Sequence, residues 1–123
     1  MHLTLLGTGL PFINPKRRGS AYLIRAGEEQ FMVDCGSGAM YRFHEAGSRP
    51  SDINHMSITH LHMDHYIDLG HFIMSRWIYR NDQPLHIYGS QGLKRMIELL
   101  MEMHGPDLEQ CQVTRAKRGP ARI

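Results

Sequence analysis

ITHLHMDHYIDLG, residues 58–70, sets His60, His62, Asp64 and His65 in a His-x-His-x-Asp-His spacing. The run before it, His55 to Thr59, reads as a strand that ends at His60. In extended chain, residues two apart point the same way, so His60 and His62 can converge on one point. A helical period starts near Ile67, so Asp64 and His65 fall in the connecting turn, free to aim at a second point nearby. Imidazole and carboxylate suit zinc, with manganese and iron as alternatives. The chain has nine histidines, and a histidine-rich turn can be an accident of the surface. Three histidines and an aspartate at strand-to-helix spacing read instead as a metal turn.

Working outward, Leu3 to Leu6 reads as a strand closed by Gly7-Thr8-Gly9. The dinucleotide fingerprint fails there, because Phe12 stands three positions beyond Gly9. Pro11 and Pro15 hold the next segment in an irregular loop that carries Lys16, Arg17 and Arg18. That cluster reads as a solvated loop, or as an anion-facing loop near the mouth of the site. Ala21 to Arg25 and Gln30 to Cys35 read as a hairpin with Gly27 in its turn. The unbroken Phe31-Met32-Val33 predicts a strand covered on both faces. Asp34 follows, and a carboxylate there does not lie unpaired in a core. It either caps a turn or accepts a hydrogen bond from a ligand histidine, fixing that ring's orientation.

Ser37 is placed to cap a helix that runs to Ala46 and stops at Gly47. A second helix, Ile67 to Arg80, predicts a buried face of Ile67, Gly70, Ile73, Met74, Trp77 and Ile78. Asp68 lies in its first turn, where the helix dipole favours an acid. After the turn at Asn81 to Pro84 comes a strand, Leu85 to Tyr88. Gly89-Ser90 then opens a third helix with Leu93, Met96, Ile97, Leu100 and His104 on its inner face. The methionines at helical spacing are flexible core filler rather than copper ligands. Gly105-Pro106 is expected to end that helix, and residues 107–123 to form a basic tail that frays. Strands alternating with helices predict an α/β layer, with residues 1–106 as one domain.

Composition fits this reading. The 123 residues suit a single domain, and 41% hydrophobic residues supply a core. No apolar run reaches the roughly 20 residues of a membrane helix, and the N-terminus has no signal-peptide pattern. Cys35 and Cys111 form no Cys-x-x-Cys pair, so a reducing, cytoplasmic setting is the default. The net charge is +2, and residues 112–123 carry four basic side chains and no acid. So small a basic stretch is more often solvated than bound to nucleic acid.

The metal turn, with LLGTGLPFINPKRRGSAYLI before it, FMVDCGSG between, and PLHIYGSQGLKRMIELL after it, resembles the metallo-β-lactamase-fold hydrolases. The branch it is most similar to is the tRNA 3′-processing ribonuclease Z enzymes and their arylsulfatase-like relatives. The resemblance covers residues 1 to about 104. It implies the N-terminal half of an αββα sandwich, a mixed sheet with flanking helices, cut short. It implies two zinc ions held by His60, His62, Asp64 and His65. Asp64 would also orient the attacking water, and Asp34 would support a ligand histidine. The family completes its site with later ligands, and the downstream candidates here, His71, His86, His104 and Asp107, sit in no matching motif. The implied reaction is hydrolysis of a phosphodiester such as a tRNA precursor, with a sulfate or other ester as the alternative. A non-catalytic chain that pairs with a second copy or with a complementary half is the reading from another class.

Overall fold

The computed structural model describes residues 1–79 and 83–118; the expected helix end at Arg80 and residues 119–123 of the tail lie outside them. Five strands form one sheet in the order of the chain. They are β1 (His2–Gly7), β2 (Ala21–Ala26), β3 (Glu29–Val33), β4 (His55–Ile58) and β5 (His86–Gly89). The first three pair antiparallel, and β3, β4 and β5 pair parallel. Parallel neighbours need crossover connections. Helix α1 (Ala39–Glu45) lies on the connection from β3 to β4, and α2 (Leu69–Ile78) on that from β4 to β5. The segment Met1–Leu93 is one compact unit.

Two residues join β2 to β3, and Gly27 takes φ +62° there, a conformation that glycine adopts at no steric cost. Across the sheet, Leu23, Met32 and Met56 stand in register and are fully buried. Phe43 of α1 and Phe72 of α2 complete that core edge to face, with ring centroids 5.9 Å apart. The opposite face carries Leu3, Ile24, Phe31, His55 and His86 in one row. Leu3 and Leu5 are more than half exposed, and Phe31 and Val33 are partly so. The continuous apolar run of β3 was expected to be covered on both sides. Within this unit the helices bury Met32 and leave Phe31 and Val33 partly open.

Helix boundaries and faces differ from the sequence reading in informative ways. Ser37 does not cap α1. Its N-cap is Gly38 at φ +79°, and the Asp68 carboxylate accepts from the Met40 N–H at 3.4 Å. Gly47, at φ +75°, does stop α1 as expected. Helix α2 starts at Leu69, two residues later than its period suggested, and buries Leu69, Phe72, Met74 and Arg76. Ile67 and Ile78 are about half exposed.

Arg76 is the largest departure, since a charged residue reads as surface. It is 6% exposed, and its guanidinium donates to the Ile53 carbonyl, the Asn54 side chain and the Gln83 carbonyl at 2.8–2.9 Å. It thereby ties α2 to the segments leading into β4 and β5. Arg76→Met keeps the apolar stem and removes those donors. It is expected to cost about 2–4 kcal/mol, because the buried Ile53 carbonyl and the part-buried Asn54 and Gln83 acceptors lose their donor. A denaturant melt with an unchanged midpoint would refute this.

Lys94–Ile123 is a second unit. It holds most of α3 (Leu93–Met103) and α4 (Gly105–Arg118). Of the expected inner face of α3 only Leu93 is buried, while Met96, Ile97, Leu100 and His104 are half-buried. The chain forms a helix from Gly105, where fraying was expected. Pro106 falls in the first turn of α4, where its missing N–H costs nothing. Among the described residues, no helix is long and apolar enough to cross a membrane.

Candidate metal centre

Open α/β sheets present ligand sites beyond the carboxyl ends of their parallel strands. Here two turns meet at those ends. One is Asp34-Cys35-Gly36, which follows β3, and the other runs from Thr59 to His65 after β4. Backbone hydrogen bonds join them. The Cys35 N–H donates to the His65 carbonyl at 2.7 Å, and the Asp68 N–H donates to the Cys35 carbonyl at 3.0 Å. Gly36 makes this approach sterically feasible, for a Cβ there would stand 2.1 Å from the Asp64 carbonyl oxygen.

Strand β4 ends at Ile58, the chain bends at His60, His62 is extended with φ −88° and ψ 140°, and Met63–His65 forms a single 3-10 turn. That geometry sorts the four side chains into two pairs. His60 Nε2 and His62 Nδ1 face each other at 3.1 Å. Asp64 Oδ2 and His65 Nε2 stand 3.6 Å apart. The rings of His60 and His65 have centroids 4.0 Å apart, so the pairs adjoin. Two nitrogens at 3.1 Å share one proton or one cation between them. With zinc–nitrogen distances of about 2.0–2.1 Å, both can reach a single ion. Among the described residues, no three His, Cys, Asp or Glu side chains close on one point as a cage. The donor types, imidazole and carboxylate, are ones that divalent ions accept, and they stand as two adjoining pairs.

Asp34 lies directly behind the turn, 1% exposed. Its backbone takes φ +59°, a left-handed conformation that is uncommon outside glycine and that Asp tolerates better than most. The carboxylate accepts the Thr59 N–H at 2.8 Å, the Thr59 hydroxyl at 2.9–3.0 Å, and His65 Nδ1–H at 2.7 Å. Donating Nδ1–H leaves the His65 Nε2 lone pair toward Asp64. This is the histidine-orienting arrangement weighed above for Asp34. Thr59 escaped the sequence reading, since a threonine beside a histidine carries no local signal. Cys35 is fully buried, and burial, with Asp68 and Asp34 beside it, pushes its thiol well above the ordinary range. It is thus an inert core residue rather than a thiolate ligand.

The other sequence candidates lie elsewhere. His71 is exposed and lines a cavity of about 430 Å³ with Tyr41, Phe43, Arg49 and Tyr79, away from the metal turn. His86 stacks on His55 with centroids 5.0 Å apart, at the start of β5. His104 and Asp107 belong to the second unit. The basic loop is exposed, as a solvated loop would be, and its Arg17 and Arg18 share a recess of about 70 Å³ with Phe12, Met63 and Asp64.

Comparison with known proteins follows this geometry. A family profile described as "Anti-Pycsar protein Apyc1" matches residues 1–110. The ribonuclease Z of Mycobacterium sp. (strain KMS) is 36% identical over 110 residues, covering 88% of this chain and 39% of that protein. The ribonuclease Z of Mycobacterium bovis (strain BCG / Pasteur 1173P2) is 35% identical over 111 residues, with 88% and 40% covered. Among solved structures, human tRNase Z, short form, matches with a TM-score of 0.77 at 33% identity, covering 84% of this chain and 40% of that one. A long-form RNase Z from yeast matches with a TM-score of 0.70 at 16% identity, covering 88% and 17%, a likeness of fold alone. The chain spans about two fifths of the length of the mycobacterial relatives it matches.

Proposed function

The chain belongs to the Apyc1 family, in the ribonuclease Z branch of the metallo-β-lactamase fold, and from that membership we propose that it carries the metal-binding turn of a phosphodiester hydrolase. The observation that carries the proposal is the pairing of His60 Nε2 with His62 Nδ1 at 3.1 Å, beside a His65 held by buried Asp34. Relatives named ribonuclease Z and tRNase Z support a tRNA precursor as the substrate class.

His60 and His62 would hold one divalent ion, and Asp64 and His65 a second, with zinc the best match to these donors. When bound, such ions supply hydroxide near neutral pH and stabilise charge on a phosphoryl group. The residues of this chain do the rest. Asp34 keeps the proton of His65 on Nδ1, so that Nε2 faces the site. Asp64 would also orient the attacking water. Arg17 and Arg18, sharing a recess with Asp64, would neutralise a substrate phosphate. Binding competes with protons, since each histidine must be neutral to act as a ligand.

Two ligands for each of two ions is a short set. The 123-residue chain alone is expected to take up zinc loosely and to turn over no diester above the metal-ion background. The function itself is tested by grafting residues 1–110 in place of the matching segment of a mycobacterial ribonuclease Z. The graft is expected to hydrolyse an aryl phosphodiester with zinc or manganese and to stop with chelator. A graft that loads metal, leaves diesters intact and cleaves aryl sulfates would overturn the phosphodiester reading in favour of the sulfatase-like branch.

A further inference from the structure

We infer that Thr59 is a positioning residue that fixes the tautomer of His60, joining the two halves of the metal centre through one hydroxyl. The inference rests on the metal reading of the turn and concerns a residue with no ligand role of its own. A threonine hydroxyl has one hydrogen to donate and two lone pairs to accept with. Thr59 Oγ1 lies 3.0 and 2.9 Å from the two oxygens of the Asp34 carboxylate, which has no hydrogen to offer. The hydroxyl hydrogen therefore goes to Asp34. That carboxylate also accepts the Thr59 backbone N–H at 2.8 Å, which locks the threonine in place from a second side.

With its hydrogen committed, the hydroxyl can only accept from His60. His60 Nδ1 lies 3.1 Å from Thr59 Oγ1, so this contact is a hydrogen bond only if the proton of His60 sits on Nδ1. Nε2 is then left with its lone pair, and Nε2 is the atom that faces His62 Nδ1 at 3.1 Å. His65 Nδ1 also approaches Thr59, at 3.4 Å, but donates to Asp34 at the shorter 2.7 Å. Asp34 thus sets His65 directly and His60 through Thr59. Both rings are turned to present Nε2, one to each half-site.

The test reads tautomers and affinity rather than turnover. Long-range nitrogen–proton correlation spectra of the 15N-labelled, metal-free chain are expected to show His60 protonated on Nδ1. Thr59→Val, close in shape and lacking the hydroxyl, should shift His60 toward the Nε2–H form. It should also weaken cobalt(II) binding, followed by the visible spectrum, by about 10- to 100-fold. Thr59→Ser, which keeps the hydroxyl, should restore both readouts. A wild-type His60 protonated on Nε2 would overturn the inference, as would a Thr59→Val chain with unchanged tautomer and unchanged cobalt affinity. If the wild type takes up no cobalt at all, the metal reading itself fails, and the His60 tautomer still decides the role of Thr59.

Discussion

Asp64→Ala is expected to remove cobalt binding at the Asp64–His65 half-site and to stop diester hydrolysis in the grafted enzyme, the largest loss from any single change in the turn. Asp64 is the only carboxylate among the four turn side chains, and its Oδ2 stands 3.6 Å from His65 Nε2. Asp34 does not take its place, being buried behind His65 and already accepting from three donors. Asp34→Ala should cost less, about 10- to 100-fold in metal affinity, because it releases His65 without deleting a ligand. The comparison is made by cobalt titration of both variants of the 123-residue chain and by turnover of both grafts. Equal losses would mean that Asp64 merely shapes the turn.

Gly36→Ala is the second large effect, and it acts through the backbone. The added methyl carbon would sit 2.1 Å from the Asp64 carbonyl oxygen and 2.7 Å from both the Gly19 carbonyl carbon and the Ser20 nitrogen. These are main-chain atoms in two segments, so no side-chain rotation relieves the clash. Forced overpacking costs about 1–3 kcal/mol in ordinary cores, and a clash with backbone from two segments belongs at the upper end. For a domain of this size that lowers Tm by more than about 10 °C. Cobalt affinity should fall as well, because the Asp64 carbonyl must move. Gly105→Ala, with no neighbour within 4 Å of its added carbon, is the control and should be silent. Thermal melts and cobalt titrations of the two variants decide it. A Gly36→Ala chain that melts with the wild type would show that the two turns are not in close contact.

The closeness of the four turn side chains was legible in the sequence because it is local, all four falling within six positions. His60 does face His62, though across a bend at His60 rather than along the extended chain expected, and one tight turn sets Asp64 beside His65. Asp34 was legible in part, since an acid after an apolar strand must find partners, but only the fold could say which. Thr59 was illegible, as its role exists only where β3 and β4 end side by side. The face of α2 was read only in part, with Gly70 and Met74 buried as expected, for a related reason. Ile67 and Ile78 fit a helical stripe on paper, yet the helix begins at Leu69 and turns Arg76 inward, because three acceptors at the strand ends await it. Pro106 shows the same limit. A proline ends one helix or begins the next depending on which side of it the chain is helical.

The hydrogen bond from His65 to Asp34 spans 31 positions of the chain. It closes only when β3 and β4 have paired and α1 has been laid down between them. The unfolded chain therefore has the turn residues but not the arrangement that orients them. An ion that prefers the oriented arrangement binds the native state and not the unfolded one, and draws the folding equilibrium with it. At a free ion concentration of a hundred times its Kd, that linkage adds about 2.7 kcal/mol to folding. Were the turn to load such an ion as proposed, its supply would set how much of this chain is folded at a given temperature, and a melting curve would become a measure of metal availability.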